Sequence, residues 1–384
     1  MNTGAYIHIP FCGKKCDYCG FYSVPVGHLS PPERAALIRR YIDRLCGEIN
    51  SRANEMSGCV IDTIYFGGGT PSLFEFFDVA RINAAIRDNY RIEPVGIEVT
   101  LECNPDDFSA QKINAYRDAG INRVVLGVQT MHAKLHSVIG RSASLVQSIT
   151  LEEFCGMAGI THCVDIITGI PGQTREMLID DIHRVCAYRP EHISAYILSI
   201  ESGTSLCARM RMSEELELSQ KDLFRTTMRL LREKGYAHYE VSNFALPGFE
   251  SKHNMKYWLF QPYIGFGVRA HSFYGNERYY NNQTVDEYLA GALPARVRDV
   301  RTVTSAIAEY VMTATRLVRG MSLRRFKDTL GREFPADIMD EFISFEKQGL
   351  VSIIRQGDDT VLAFTEEGMF YMDGLLYRAL EKYI

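Results

Sequence analysis

Apolar runs that read as β-strands recur through the first half of the chain with helical stretches between them. This alternation restricts the fold more than any single motif. Tyr6-Ile-His-Ile-Pro10 is a short strand stopped by proline, and Ile61–Phe66, Gly96–Leu101, Arg123–Val128, Val164–Thr168 and His192–Leu198 follow as further strands. Between the first two, Ser30-Pro-Pro-Glu33 has the form of a capping box with proline at the first helical position, and Leu37, Ile38, Tyr41, Leu45 and Ile49 then fall at helical spacing. Helical residues resume with Phe77 to Ile86. Strands separated by helices predict a parallel α/β sheet, and ligands of such sheets gather at the C-terminal strand ends. The least ordinary residues fall at those ends: a cysteine-rich loop, Gly67-Gly-Gly69, Glu102, Gln129 and Gly169-Ile-Pro171.

The cysteine loop reads Cys12-Gly-Lys-Lys-Cys16-Asp-Tyr-Cys19, a C-x3-C-x2-C spacing. Thiolates are the usual ligands of iron–sulfur clusters, and a cubane takes four. Three thiolates would leave one iron open to something that is not protein. A zinc site is the alternative, but it would want a fourth Cys or His at a typical spacing, and His8 lies upstream on the strand.

Composition narrows the classes. The chain has 384 residues, 46% hydrophobic and 23% charged, which suits an ordinary globular protein of two or three domains. The net charge of −5, with no basic stripe, argues against nucleic acid as a partner. No apolar run reaches the ~18 residues of a membrane span, and no signal peptide is visible. Ten scattered cysteines without an export signal suggest reduced thiols, hence a cytoplasmic protein.

Other features carry two readings each. Gly67-Gly-Gly69-Thr70 follows a strand, and glycines there let a ligand approach the backbone, although a tight turn explains one of them. No Lys follows in the pattern of a phosphate loop. Glu102 and Asp165 at strand ends suit hydrogen bonding to a ligand's hydroxyls, or plain capping and ion pairing. His253-Asn-Met-Lys-Tyr257-Trp258 holds the only tryptophan. A histidine beside aromatic residues can serve a haem, or the stretch is a loop packed on the core.

Composition changes after about residue 290, which predicts domains at 1–290 and 291–384. Helices at 305–319, 323–330 and 337–348, ended by Gly320, Gly331 and Gly349, precede a hairpin turning at Gly357-Asp-Asp. This is a small winged-helix-like pattern. Its third helix carries Asp337, Asp340, Glu341 and Glu346 against Lys347, a face that phosphates would repel.

The cysteine spacing resembles that of the radical S-adenosylmethionine (SAM) enzymes, and the whole set of motifs resembles the HemW family, relatives of the oxygen-independent coproporphyrinogen III oxidase HemN. The likeness runs from Tyr6-Ile-His-Ile-Pro-Phe11 and Tyr65-Phe-Gly-Gly-Gly-Thr-Pro-Ser72 through Leu101-Glu-Cys-Asn-Pro105, Gly127-Val-Gln129, Gly140-Arg141 and Asp165–Thr174. It continues through His192–Tyr196, Tyr239–Asn243, His253–Trp258, Gly265-Phe-Gly267 and Ala270-His-Ser272. It implies a partial (β/α)6 barrel with a small C-terminal helical domain. It implies a [4Fe-4S] cluster on Cys12, Cys16 and Cys19, with Tyr6, Tyr18, Gly68, Gly69, Thr70, Glu102, Gln129, Arg141, Asp165 and Ser199 around SAM. It implies haem as ligand, with His253 the leading candidate to hold it and His271 a second, and respiratory haem proteins as recipients. A homodimer is compatible with it.

The oxidase has an N-terminal extension for which Tyr6 leaves no room, and a fourth cysteine where this chain has Phe21. Both features argue for a haem chaperone over porphyrinogen oxidation, although the parts for SAM cleavage are present, and Glu102, Gln129 and Asp165 around a SAM site argue against a bare interaction scaffold. One departure stands out: the family reads Gly-Ala-His-Ser where this chain has Arg269-Ala-His-Ser272. That bulky cation would either meet a haem propionate or alter the site.

Overall fold

The computed structural model describes residues 2–56, 58–141, 147–291, 296–298 and 301–384. The chain forms two compact units. One is Met1–Leu230 with Pro262–Asp299, and the other is Leu231–Gln261 with Val300–Ile384.

The first unit is built on six parallel strands: β1 (Asn2–Ile9), β2 (Val60–Gly68), β3 (Glu98–Cys103), β4 (Arg123–Gln129), β5 (Thr161–Thr168) and β6 (His192–Ile197). They lie in the order β6-β5-β4-β3-β2-β1, each parallel to its neighbour. Helices α1 (Pro31–Ser51), α2 (Phe76–Asn89), α3 (Ala110–Asp118), α4 (Gln147–Cys155) and α5 (Arg175–Ala187) make the crossovers. This is the partial (β/α)6 barrel. Period-2 alternation sorts its side chains. On β4, Val124, Leu126 and Val128 are fully buried on one face, while Val125, Gly127 and Gln129 line a cavity on the other. Strands β2, β3 and β4 run one or two residues past the apolar runs, β1 and β5 begin three or four residues before them, and β6 stops one residue short.

Beyond β1 the sheet continues through β7 (Tyr263–Phe266), parallel to β1, and the antiparallel strands β8 (His271–Tyr274), β9 (Glu277–Asn281) and β10 (Arg296–Arg298). A buried ion pair ties this extension to α1. Arg52 Nη1 meets Glu48 Oε1 at 2.8 Å and donates to the Gly265 carbonyl, while Glu48 accepts from the Gly267 N–H, Asn281 and Tyr288. Each buried polar group thus has a partner, which such burial requires.

The second unit contains the helices Val303–Ala314, Leu323–Leu330 and Ala336–Lys347 and a three-stranded sheet of Met321–Ser322, Asp359–Phe364 and Val351–Gln356. This is the winged-helix-like pattern. Phe326, Phe342, Phe345 and Phe364 fill its core. Its boundary does not follow a single cut near residue 290. Residues 231–261 join it because their partners are there: Val318 N donates to the Tyr239 carbonyl at 3.1 Å, Val241 N to the Arg316 carbonyl at 3.0 Å, and Phe260 packs on Tyr310. The helix Lys252–Trp258, which carries the His253 motif, therefore belongs with the C-terminal residues.

Candidate functional site

A cavity of about 500 Å³ opens at the C-terminal ends of the barrel strands. The loop after β1 enters it. Its start is strapped down by a short parallel pairing of Phe11–Cys12 with Val24–Pro25, and by bonds from Val24 N to the Pro10 carbonyl (2.7 Å) and Val26 N to the Cys12 carbonyl (2.8 Å). Its far end is held by Asp17, whose N–H donates to the Ile139 carbonyl and whose carboxylate pairs with Arg209 at 2.5 Å. Tyr18 packs on a buried cluster that includes Ile139, Ile167 and Leu206. Cys12 is buried, Cys16 and Cys19 are half-buried, and all three line the cavity. Among the described residues no three His, Cys, Asp or Glu gather tightly enough to hold one metal ion. A zinc site needs such a gathering, whereas a cubane takes its thiolates on separate irons.

The glycine turn closes the next side. Gly68 has φ 111°, and a Cβ there would lie 2.5 Å from the His8 ring. That ring is fixed by Tyr6 Oη at Nδ1 (3.1 Å) and the Tyr22 carbonyl at Nε2 (3.0 Å). The Gly69 and Thr70 N–H groups donate to the Ile9 and Phe11 carbonyls, both at 2.7 Å. The glycines thus serve first to seat the turn on His8 and on the cysteine loop.

Two carboxyls stand across from the loop. Glu102 Oε1 accepts from Tyr65 Oη at 2.8 Å. Burial pushes Glu102 up to about 7, with the Tyr65 bond opposing and the nearby Asp165 adding to the rise. Burial likewise pushes Asp165 up to about 6, against a Ser194 bond and the Arg141 charge. Asp165 Oδ1 is buried with no hydrogen-bond partner. Arg141 reaches Asn104 Oδ1 at 2.8 Å and bonds to Tyr18. Gln129 has φ 68° beside a register shift in β4, a strained turn that re-aims a buried amide into the cavity.

The cavity brings together Cys12, Cys16, Cys19, Tyr18, Gly68, Gly69, Thr70, Glu102, Gln129, Arg141, Asp165 and Ser199. Tyr6 is not in its lining: its ring stacks on Tyr65 behind the glycine turn, at 6.2 Å and 28°. Sequence reasoning missed Tyr65, His8 and Asn104 as supports, and Tyr196 as a half-exposed wall residue. Tyr65 lies two residues before Gly67, hence on the same strand face, and that was the available signal.

In the second unit, His253 is 1% exposed. Its Nε2 lies 2.9 Å from Tyr257 Oη, one helical turn on, and burial depresses its pKa to about 3. Trp258 lies under the Arg316 guanidinium at 5.5 Å. In the first unit, His271 on β8 is exposed and stacks on Tyr280.

Residues 6–185 match the model of the radical SAM superfamily. A haem chaperone HemW of Lactococcus lactis is 35% identical over 361 residues, covering 92% of this chain and 92% of that protein. A haem chaperone HemW of Bacillus subtilis is 30% identical over 92% of this chain and 95% of that protein. Among solved structures, coproporphyrinogen III oxidase (HemN) from Escherichia coli superimposes with a TM-score of 0.82 at 20% identity, over 100% of this chain and 90% of that one, a likeness of fold. With its motifs spread over the same length as those relatives, the chain belongs to the HemW family of the radical SAM superfamily.

Proposed function

We propose that this protein is a haem chaperone that also holds a [4Fe-4S] cluster and SAM. The observation that carries the haem reading is the 35% identity over 92% of the chain to a protein named a haem chaperone. The residues of the cavity fit the cluster and its ligand. Cys12, Cys16 and Cys19 offer three thiols on one loop, Cys103 at the end of β3 gives its thiol to the Asn104 carbonyl instead, and Asp165 Oδ1 in the same lining is a buried acceptor with no hydrogen-bond partner. When bound and reduced, a SAM-ligated cluster supplies one-electron cleavage of the sulfonium.

The chain's own residues do the holding. Glu102 and Asp165 offer buried acceptors to a ligand's hydroxyl or cationic groups. Gly68, Gly69 and Thr70 give close backbone approach, and Tyr18, Gln129, Arg141 and Ser199 close the walls. Tyr6 acts from behind, through His8 and Tyr65. His253 serves as a haem ligand once the helix Lys252–Trp258 opens and Tyr257 lets go. Among the described residues no helix is long and apolar enough to cross a membrane. On this reading the protein works in the cytoplasm, as a homodimer when delivering, and hands haem to respiratory haem proteins.

The test is an anaerobic haem titration of the cluster-reconstituted protein, read by absorbance. Saturable binding is expected. Absorbance that rises without saturation would remove the chaperone reading.

A further inference from the structure

The loop that carries the three cysteines returns to its own start. Phe11 pairs in parallel with Val24 and Cys12 with Pro25, and Val24 N donates to the Pro10 carbonyl at 2.7 Å. Side chains alternate along such a strap, so Phe11 and Cys12 point opposite ways. Phe11 is fully buried against Tyr41 and Phe74. Cys12 lines the cavity, and so does Ser23 on the returning segment. Ser23 stands two residues before Pro25, hence diagonally across from Cys12 on the same face. Ser23 as a whole is half-buried, but its Oγ is buried and has no hydrogen-bond partner. The Cys12 thiol is therefore not its partner. Such a hydroxyl is costly unless what fills the cavity uses it. Other donors along this wall are already spent. The Gly68 N–H goes to Glu102, the Gly69 N–H to the Ile9 carbonyl and the Thr70 N–H to the Phe11 carbonyl. This turn adjoins the Ser23 segment, because Gly68 packs on the His8 ring and the Tyr22 carbonyl meets His8 Nε2 at 3.0 Å. Further round the loop, the Cys19 sulfur has a donor of its own in the Phe21 N–H.

We propose that the Ser23 hydroxyl donates a hydrogen bond to an inorganic sulfide of the cluster, on the side held by Cys12, and so raises the reduction potential of that cluster. This deepens the cluster reading above and rests on it. Sulfides accept hydrogen bonds and cannot donate them, which matches an O–H left over beside three thiols. One-electron reduction adds negative charge that the sulfurs share, and a donor at a sulfur stabilises the more charged form. Ser23 therefore touches the cofactor itself. Its hydroxyl sets how readily an external one-electron reductant can charge the cluster, and it does so without adding a ligand to any iron.

The experiment is an anaerobic potentiometric titration, with dithionite, of the full-length, cluster-reconstituted protein without SAM, read by electron paramagnetic resonance of the reduced cluster. Ser23→Ala should lower the reduced-to-oxidised ratio at a given potential about tenfold, a fall of about 59 mV for one electron. Ser23→Thr keeps the hydroxyl and should match wild type. In heavy water, the reduced wild type and Ser23→Thr should each show one more exchangeable deuteron coupled to the cluster than Ser23→Ala, a signature that packing alone would not give. SAM affinity, measured by equilibrium dialysis, should be equal in all three proteins. An unchanged potential in Ser23→Ala would overturn the assignment. If SAM binding weakened in that same variant, the hydroxyl would belong to the SAM carboxylate instead. Iron and sulfide analysis shows whether each protein took up its cluster. Should Ser23→Ala take up none, Ser23→Thr decides: a retained cluster at the wild-type potential supports the hydroxyl, and a cluster lost there too makes Ser23 a packing residue and overturns the assignment. Failure of the wild type to take up a cluster would remove the cluster reading itself.

Discussion

Glu102 is held in the cavity wall by a phenol, Tyr65 Oη at 2.8 Å. Burial pushes this carboxyl up to about 7, and the phenol works against that rise. Tyr65→Phe keeps the ring that packs on Tyr6 and under Gly67 but removes the donor. A hydrogen bond to a charged acceptor is worth about 1.5–3 kcal/mol. The variant should therefore bind SAM about tenfold more weakly, measured by equilibrium dialysis on cluster-loaded protein, while its near-ultraviolet circular dichroism stays unchanged. Equal affinity in the two proteins would make Tyr65 a filler. The polar residues at strand ends were legible in the sequence because strand ends collect ligands. Tyr65 and Asn104 were not, since each matters only through a neighbour that register or a loop brings across. The burial of His253 was hidden for the same reason: a sequence shows a histidine beside aromatics but not whether solvent reaches it.

At the scale of elements, glycine marked the ends correctly where the chain alone decides. Gly331 caps its helix at φ 66°, and Gly357 turns the hairpin between Gln356 and Asp359 at φ 60°. The helix expected at 305–319 instead ends at Ala314, where the chain turns: Leu317 forms a single antiparallel bridge with Glu240, Val241 N donates to the Arg316 carbonyl and Val318 N to the Tyr239 carbonyl. Tertiary pairing overrode propensity there, and one bridge residue is too brief to show an alternation in the sequence. The turn between β7 and β8 shows the opposite case. Arg269 adopts φ 58°, a left-handed conformation costing a non-glycine residue roughly 1–2 kcal/mol. Its stack on Tyr22 returns about 0.5–1 kcal/mol, and avoiding a freer glycine in the unfolded chain about as much. Arg269→Gly should therefore change stability by less than about 1 kcal/mol in urea denaturation. A neutral result would show that the stack on Tyr22 offsets the left-handed backbone. A loss above about 2 kcal/mol would make it a structural residue.

Across the whole molecule, the buried carboxyls oppose two demands on the protein. Glu102 has a folded pKa of about 7 against an ordinary 4.5, and Asp165 about 6 against 3.8. Both are raised, so the folded state holds their protons more tightly than the unfolded chain does. Their contribution to stability is complete below the ordinary values and is lost as pH rises through about 6 to 7. For Glu102 the loss is on the order of 3 kcal/mol. Cofactor-free wild type should thus lose stability relative to Glu102→Gln between about pH 5 and about pH 8, in paired urea melts at each pH. A difference that stays flat would mean that solvent or a counter-charge relaxes around the carboxylate. A bound cation reverses the sign. SAM carries a sulfonium and an ammonium, and ionised Glu102 and Asp165 attract both, so its affinity should rise over the same range in which the empty protein weakens. The stabilisation that SAM gives, read as the shift in urea midpoint, should be larger at about pH 8 than at about pH 5.5, and Glu102→Gln should lose much of that difference. The barrel is then least stable empty at the pH where it holds its cationic ligand best, so in the working range occupancy of the cavity governs how firmly the first unit is folded.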